Sequence, residues 1–133
     1  MLKHVSFLTA DADAVAHFYT RLGARVSKDF VTGEGWRRLV LEFAGGGKLQ
    51  FFERHSFEQH SSERRGFEQK LDPDPHAWMQ HVAVHLQDWD ATLAALRAAG
   101  AVFSRDPGLS PGGNRMAFVL DPDGRQVELL AAE

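Results

Sequence analysis

The chain has 133 residues and no cysteine, which excludes a disulfide scaffold, a thiolate metal site and a thiol nucleophile, and leaves His, carboxylate and amide groups as the available metal ligands. Lys and Arg number 15 against 18 Asp and Glu, a formal net charge of −3, which argues against a nucleic acid or an anionic membrane as partner. No apolar run approaches the ~20 residues that span a bilayer, and MLKHVSFL leads straight into a strand pattern instead of a signal sequence, so the expectation is one soluble, cytoplasmic domain (1–133) acting on small molecules.

The first predicted strand opens at His4. Alternation gives Val5 and Phe7 one face and His4, Ser6 and Leu8 the other. Asp11 stands where a helix N-cap accepts backbone N–H groups, and Gly23 where a C-cap requires positive φ. The helix between them, about three turns long, offers Val15, Phe18 and Leu22 to the apolar face of the strand. A short strand is expected around Ser27–Val31, then a hairpin over "RRLVLEFAGGGKLQFF" (37–52). In its closing strand Leu49 and Phe51 take the helix-facing parity, which turns Gln50 and Phe52 to the side of His4.

This first β-α-β-β-β module (1–53) is followed by "RHSFEQHSSERRGFEQKLDPDPHA" (54–77), polar, charged and closed by Asp-Pro-Asp-Pro. It reads as a linker or lid loop, with one or two helical turns around Ser61–Lys70. Glu53, His55 and His60, together with His17 on the first helix, read as surface residues.

The second module (78–133) repeats the first. An offset of 77 superposes His4 on His81, Val5 on Val82, Asp11 on Asp88, Asp13 on Asp90, Gly23 on Gly100 and Ser27 on Ser104. After a one-residue slip between Ser27 and Leu39, "RMAFVLDPDGRQVELL" (115–130) matches the first hairpin, and a strand around Val102–Arg105 is expected before it. Val82, Val84 and Leu86 face a helix bearing Leu93 and Leu96, so His81, Ala83 and His85 take the opposite face. Val127 and Leu129 likewise turn Glu128 to the side of His81.

Duplication alone would make a stable sheet, but His4, Gln50, His81 and Glu128 are poor choices for a dry core. Two imidazoles, a carboxylate and an amide suit one divalent metal ion of the Zn, Ni, Mn, Co or Fe(II) class, and two His with one carboxylate leave positions open for a bidentate substrate.

With these residues in view, the chain resembles the vicinal oxygen chelate superfamily, which includes glyoxalase I, extradiol dioxygenases, fosfomycin-resistance proteins and bleomycin-binding proteins. "HVSFLTADADAVAHFYTRLG" is similar to the opening of its first module, and "AFVLDPDGRQVELL" to its closing hairpin. The resemblance implies an α+β fold of two tandem βαβββ modules forming a half-open, barrel-like sheet with flanking helices. It also implies metal ligands at His4, Gln50, His81 and Glu128, and a homodimer whose chains share sites.

"GGNRMAFVLDPDGRQVELL" looks closest to the second module of glyoxalase I. Phe118 agrees with that branch, whereas the extradiol and fosfomycin branches place Tyr ten residues before the ligand Glu. Leu8 stands where glyoxalase I has a glutathione-clamping Arg, and Arg54 where it has an Asn, which points away from a glutathione adduct as substrate. The expected activity is that of a metal-dependent lyase or isomerase with Glu128 as ligand and general base. Ser6, Leu8, Trp36, Phe52, His85, Met116 and Phe118 would line the pocket. The alternatives are an Fe(II) dioxygenase at His4, His81 and Glu128, or a metal-free binding protein of the drug-sequestering kind.

Overall fold

The computed structural model describes residues 1–54 and 74–132; His55, His60 and the expected helical turns around Ser61–Lys70 lie outside them. The chain divides into two compact units between Glu68 and Gln69. The first contains β1 (Val5–Leu8), α1 (Ala12–Arg21), β2 (Ala24–Val31), β3 (Trp36–Phe43) and β4 (Lys48–Arg54). The second contains a 3₁₀ turn (Ala77–Met79), then β5 (His81–Leu86), α2 (Trp89–Ala98), β6 (Phe103–Leu109), β7 (Arg115–Leu120) and β8 (Gln126–Ala131). Each unit forms its own four-stranded mixed sheet, ordered β1-β4-β3-β2 and β5-β8-β7-β6. The fold is α+β with two tandem βαβββ modules, each sheet open at both edges.

Both helices start and stop as their sequences require. Asp11 accepts the Ala14 N–H and Asp88 the Ala91 N–H, each at 3.1 Å, which satisfies donors the first turn leaves unpaired. Past the last turns, Gly23 and Gly100 take φ of 105° and 78°, a region that a side chain with Cβ rarely enters. In unit 1 the helix-facing residues Val15, Tyr19, Leu39, Leu41 and Phe51 are fully buried, with the Tyr19 and Phe51 rings 5.5 Å apart. Each such side chain contributes about 1.5–3 kcal/mol on burial. Val84, Leu86, Leu96, Val127 and Leu129 play this part in unit 2.

The strands before the hairpins are longer than expected, and their pairing explains the slip in the repeat. Val26 pairs with Leu41 and Lys28 with Val40, which leaves Ser27 as a bulge; Phe103 pairs with Val119 and Arg105 with Phe118, which leaves Ser104 as the same bulge. β6 then has a second irregularity, since Arg105 pairs with Phe118 but Gly108 with Met116. The extra residue therefore falls at Asp106–Pro107, where a Pro without an N–H is tolerated because the ladder is already broken.

Glu53 corrects the surface reading. It is 6% exposed, and its Oε2 accepts the Ala12 N–H at 2.7 Å. Helix-facing parity in β4 carries it under the first turn of α1, where a carboxylate meets unpaired N–H groups and the positive end of the helix dipole. Arg37 shares that face. Its Nε and Nη2 donate to the two Asp29 oxygens, both at 2.9 Å, its Nη2 lies 2.9 Å from Asp13, and Nη1 lies 4.0 Å from Glu53.

The Arg37 hydrogen bond, against a smaller opposing effect of burial, holds the Asp29 carboxyl below its ordinary 3.8. A depressed carboxylate stabilises the fold fully above its unfolded value and loses that contribution as pH falls through the lower folded value. Asp29→Asn is therefore expected to flatten the fall in urea midpoint between about pH 5 and about pH 2. An unchanged slope would refute the pairing.

Candidate functional site

β1 and β4 run parallel, with Ser6 opposite Gln50 and Leu8 opposite Phe52. This register gathers a polar group on the face of the first sheet turned away from α1. His4, immediately before β1, has its Nε2 3.3 Å from Gln50 Nε2, and the same amide nitrogen donates to Ser6 Oγ at 3.0 Å. Gln50 is 5% exposed. Its Oε1 accepts a hydrogen bond from Arg38 Nε at 2.5 Å.

Arg38 decides which way the amide points. Turning the amide over would set its NH₂ against a guanidinium that can only donate, so the oxygen stays on Arg38 and an N–H faces His4. The His4 Nε2 lone pair is then an acceptor for that N–H.

In the second sheet His81 lies opposite Gln126, and Glu128 opposite Ala83 on one side and Phe118 on the other. His81 Nδ1 is 2.6 Å from the Trp78 carbonyl oxygen, which can only accept, so Nδ1 carries a proton. His81 Nε2 is 3.0 Å from Glu128 Oε2, with the two side chains 24% and 18% exposed. Two lone-pair atoms at that distance require a proton on the line between them, or a cation beside it that both atoms face. The Phe118 ring packs edge-on against His81, centroids 5.2 Å apart, and against Trp78 at 6.3 Å.

His81 and Glu128 thus fit a divalent metal in donor type, tautomer and direction. His4 fits in donor type. Gln50 offers an N–H where a metal would need its oxygen. Among the described residues, no three His, Asp or Glu side chains gather into one metal-binding group.

The other candidates fall into two places. Leu8, Trp36 and Phe52 line a cleft of about 540 Å³ in unit 1, together with Thr32, Gly33 and Glu34. Ser6 joins the His4–Gln50 group. In unit 2, Phe118 lines a second hollow of about 370 Å³ with Trp78, Ser104, Arg105 and Gln126. Met116 and Phe118 are buried, and His85 is exposed. His17 is exposed, as expected.

Two functional groups escaped the reading of the sequence. Arg38 was detectable, because Leu39 and Leu41 face α1 and alternation then places Arg38, not Arg37, beside Gln50. The Trp78 carbonyl was not, since a main-chain acceptor three residues before His81 depends on the 3₁₀ turn and leaves no residue-type signal.

Comparison with known proteins agrees with this architecture. The glyoxalase/bleomycin resistance protein/dioxygenase superfamily profile matches residues 1–129. A probable lactoylglutathione lyase of Vibrio cholerae is 43% identical over 51 residues, which are 38% of this chain and only 37% of that relative. Among solved structures, a glyoxalase I mutant from Zea mays superposes with a TM-score of 0.71 at 19% identity, covering 97% of this chain and 44% of the maize chain. A bleomycin resistance determinant encoded on transposon Tn5 superposes at 0.59 and 23% identity, covering 100% and 98%. The chain belongs to the glyoxalase/bleomycin resistance protein/dioxygenase superfamily.

Proposed function

We propose that this protein is a divalent-metal-dependent lyase or isomerase of the glyoxalase type, acting on a small oxygenated molecule in the cytoplasm. The observation that supports it most is the pairing of His81 Nε2 with Glu128 Oε2 at 3.0 Å while Nδ1 is committed to the Trp78 carbonyl. The partial match to lactoylglutathione lyases favours the same class.

His4, His81 and Glu128 are assigned as the ligands. Gln50, whose oxygen is on Arg38, is assigned as the group that holds His4 Nε2 until a metal takes its lone pair. We assign the protein as a homodimer whose chains share sites.

The metal would act as a Lewis acid on a substrate oxygen, which is worth several kcal/mol. Glu128 is the base that takes the proton from the carbon beside that oxygen and returns it to the neighbouring atom. Trp78 fixes the His81 ring, and Phe118 shields one side of it. Leu8, Trp36 and Phe52 hold the apolar part of the substrate out of water.

A second reading has one observation in its favour: two His and one carboxylate form the ligand set of non-haem Fe(II) oxygenases. Metal analysis of protein purified without chelator or nickel resin decides among these readings. One Ni, Zn, Mn or Co per chain, with turnover of α-ketoaldehyde–thiol adducts, is the expected result. Iron with oxygen uptake on catechols would select the second reading. No stoichiometric metal would overturn both and leave a metal-free binding protein.

A further inference from the structure

Consecutive arginines on β3 meet opposite fates. Arg37 faces α1, and its charge is met by Asp29, Asp13 and Glu53. Arg38 faces the other way, is half-buried, and has no carboxylate partner among the described residues. Its Nε donates to the Gln50 oxygen, and its guanidinium carbon sits 5.5 Å from the Phe30 ring centroid. A neutral amide and a ring face hold the group in place without neutralising it. The two η nitrogens remain as donors with no protein acceptor among the described residues.

The surroundings say where a ligand would lie. Arg38 is paired directly with Phe52 across the β3–β4 ladder, and Trp36 is two residues along on the same face. Both line the cleft of about 540 Å³, a size within the roughly 300–1,000 Å³ usual for small-molecule sites. Arg54 packs over the Trp36 ring at 5.1 Å. Glu34 also lines the cleft, so an anion is favoured at Arg38 over the Glu34 carboxylate, and Glu42 is engaged by Arg25 and Lys48.

We propose that Arg38 anchors the carboxylate of a small ligand whose apolar or aromatic body fills the Leu8–Trp36–Phe52 cleft. Two η nitrogens match the spacing of two carboxylate oxygens. Arg38 is then the residue that selects anionic over neutral substrates. This deepens the small-molecule reading above, but the binding step needs neither metal nor turnover, so the two can fail separately.

The test uses phenylacetate and its neutral isostere phenylacetamide as probes, followed by shifts of the Trp36 indole and Arg38 Nε–H signals in the metal-free chain. Phenylacetate is expected to bind at least about ten-fold tighter than the amide, shifting both signals. Arg38→Met, which keeps the apolar stem, should abolish the preference, and Arg38→Lys should restore part of it, both with unchanged circular dichroism. Equal binding of the two probes, binding of neither, or a preference that survives Arg38→Met overturns the proposal. A parallel titration with Ni²⁺ reports on the metal separately: loss of metal binding with a retained phenylacetate preference sinks the enzyme reading alone.

Discussion

Glu128→Gln is expected to lower turnover by about 10²–10⁴-fold, the usual contribution of a positioned general base. The amide keeps the size of the side chain and an oxygen, but it takes up no proton at neutral pH. The fold should survive, because Glu128 projects from the face of β8 opposite the buried Val127 and Leu129. Its recorded side-chain partner is His81. A companion variant, His81→Ala, should lose stoichiometric metal while keeping native circular dichroism, since it removes a donor and an edge-on ring contact with Phe118. A Glu128→Gln protein with turnover within about threefold of the parent would end the acid–base assignment. Unfolding of His81→Ala would turn the histidine into a structural residue.

These variants test a site whose raw material was readable from strand parity. A strand that buries Val84 and Leu86 must turn His81 and His85 the other way, and no tertiary knowledge is required to see it. The duplicated caps were equally plain, since Asp-then-Gly at matched spacing has a backbone reason at both ends of α1 and α2. The slip in the repeat was visible as a number but not as a place. Only the pairing of β6 with β7 shows that Asp106–Pro107 absorbs it.

Glu53 was misread because a carboxylate near the end of a strand usually meets water, and the donor that buries it belongs to Ala12, 41 residues earlier in the chain. Gln50 shows the limit on the chemical side. The sequence places an amide next to His4, yet which atom of that amide faces the imidazole depends on Arg38, one strand away.

The largest stability effect should come from Asp121 in the DPDG turn. Asp121 is fully buried. Its Oδ1 accepts the N–H groups of Asp123 and Arg125, both at 2.9 Å, and its Oδ2 accepts Arg125 Nη1 at 3.0 Å. Asp123 takes the same guanidinium nitrogen at 2.7 Å. Burial works against the Arg125 charge, but attraction to Asp121 and hydrogen bonds to Asp123 and Asp121 outweigh it, so its pKa is raised.

Asp121→Ala removes the acceptor of two turn N–H groups and one partner of a largely buried cation. Leaving the two turn N–H groups without their acceptor costs about 1–3 kcal/mol each, while Asp123 still holds the Arg125 charge, and the sum is a large share of the roughly 5–15 kcal/mol that holds a domain together. Asp121→Asn keeps an oxygen for the N–H groups and loses the charge, so a smaller cost on the order of 2 kcal/mol is expected. Urea denaturation should show that ranking as midpoint shifts with little change in slope. The consequence reaches the site, because this turn sets the register in which β8 carries Glu128 opposite Phe118. Asp121→Ala should therefore weaken metal binding although it touches no ligand. A loss below about 1 kcal/mol would mean that the turn holds its shape through backbone bonds alone.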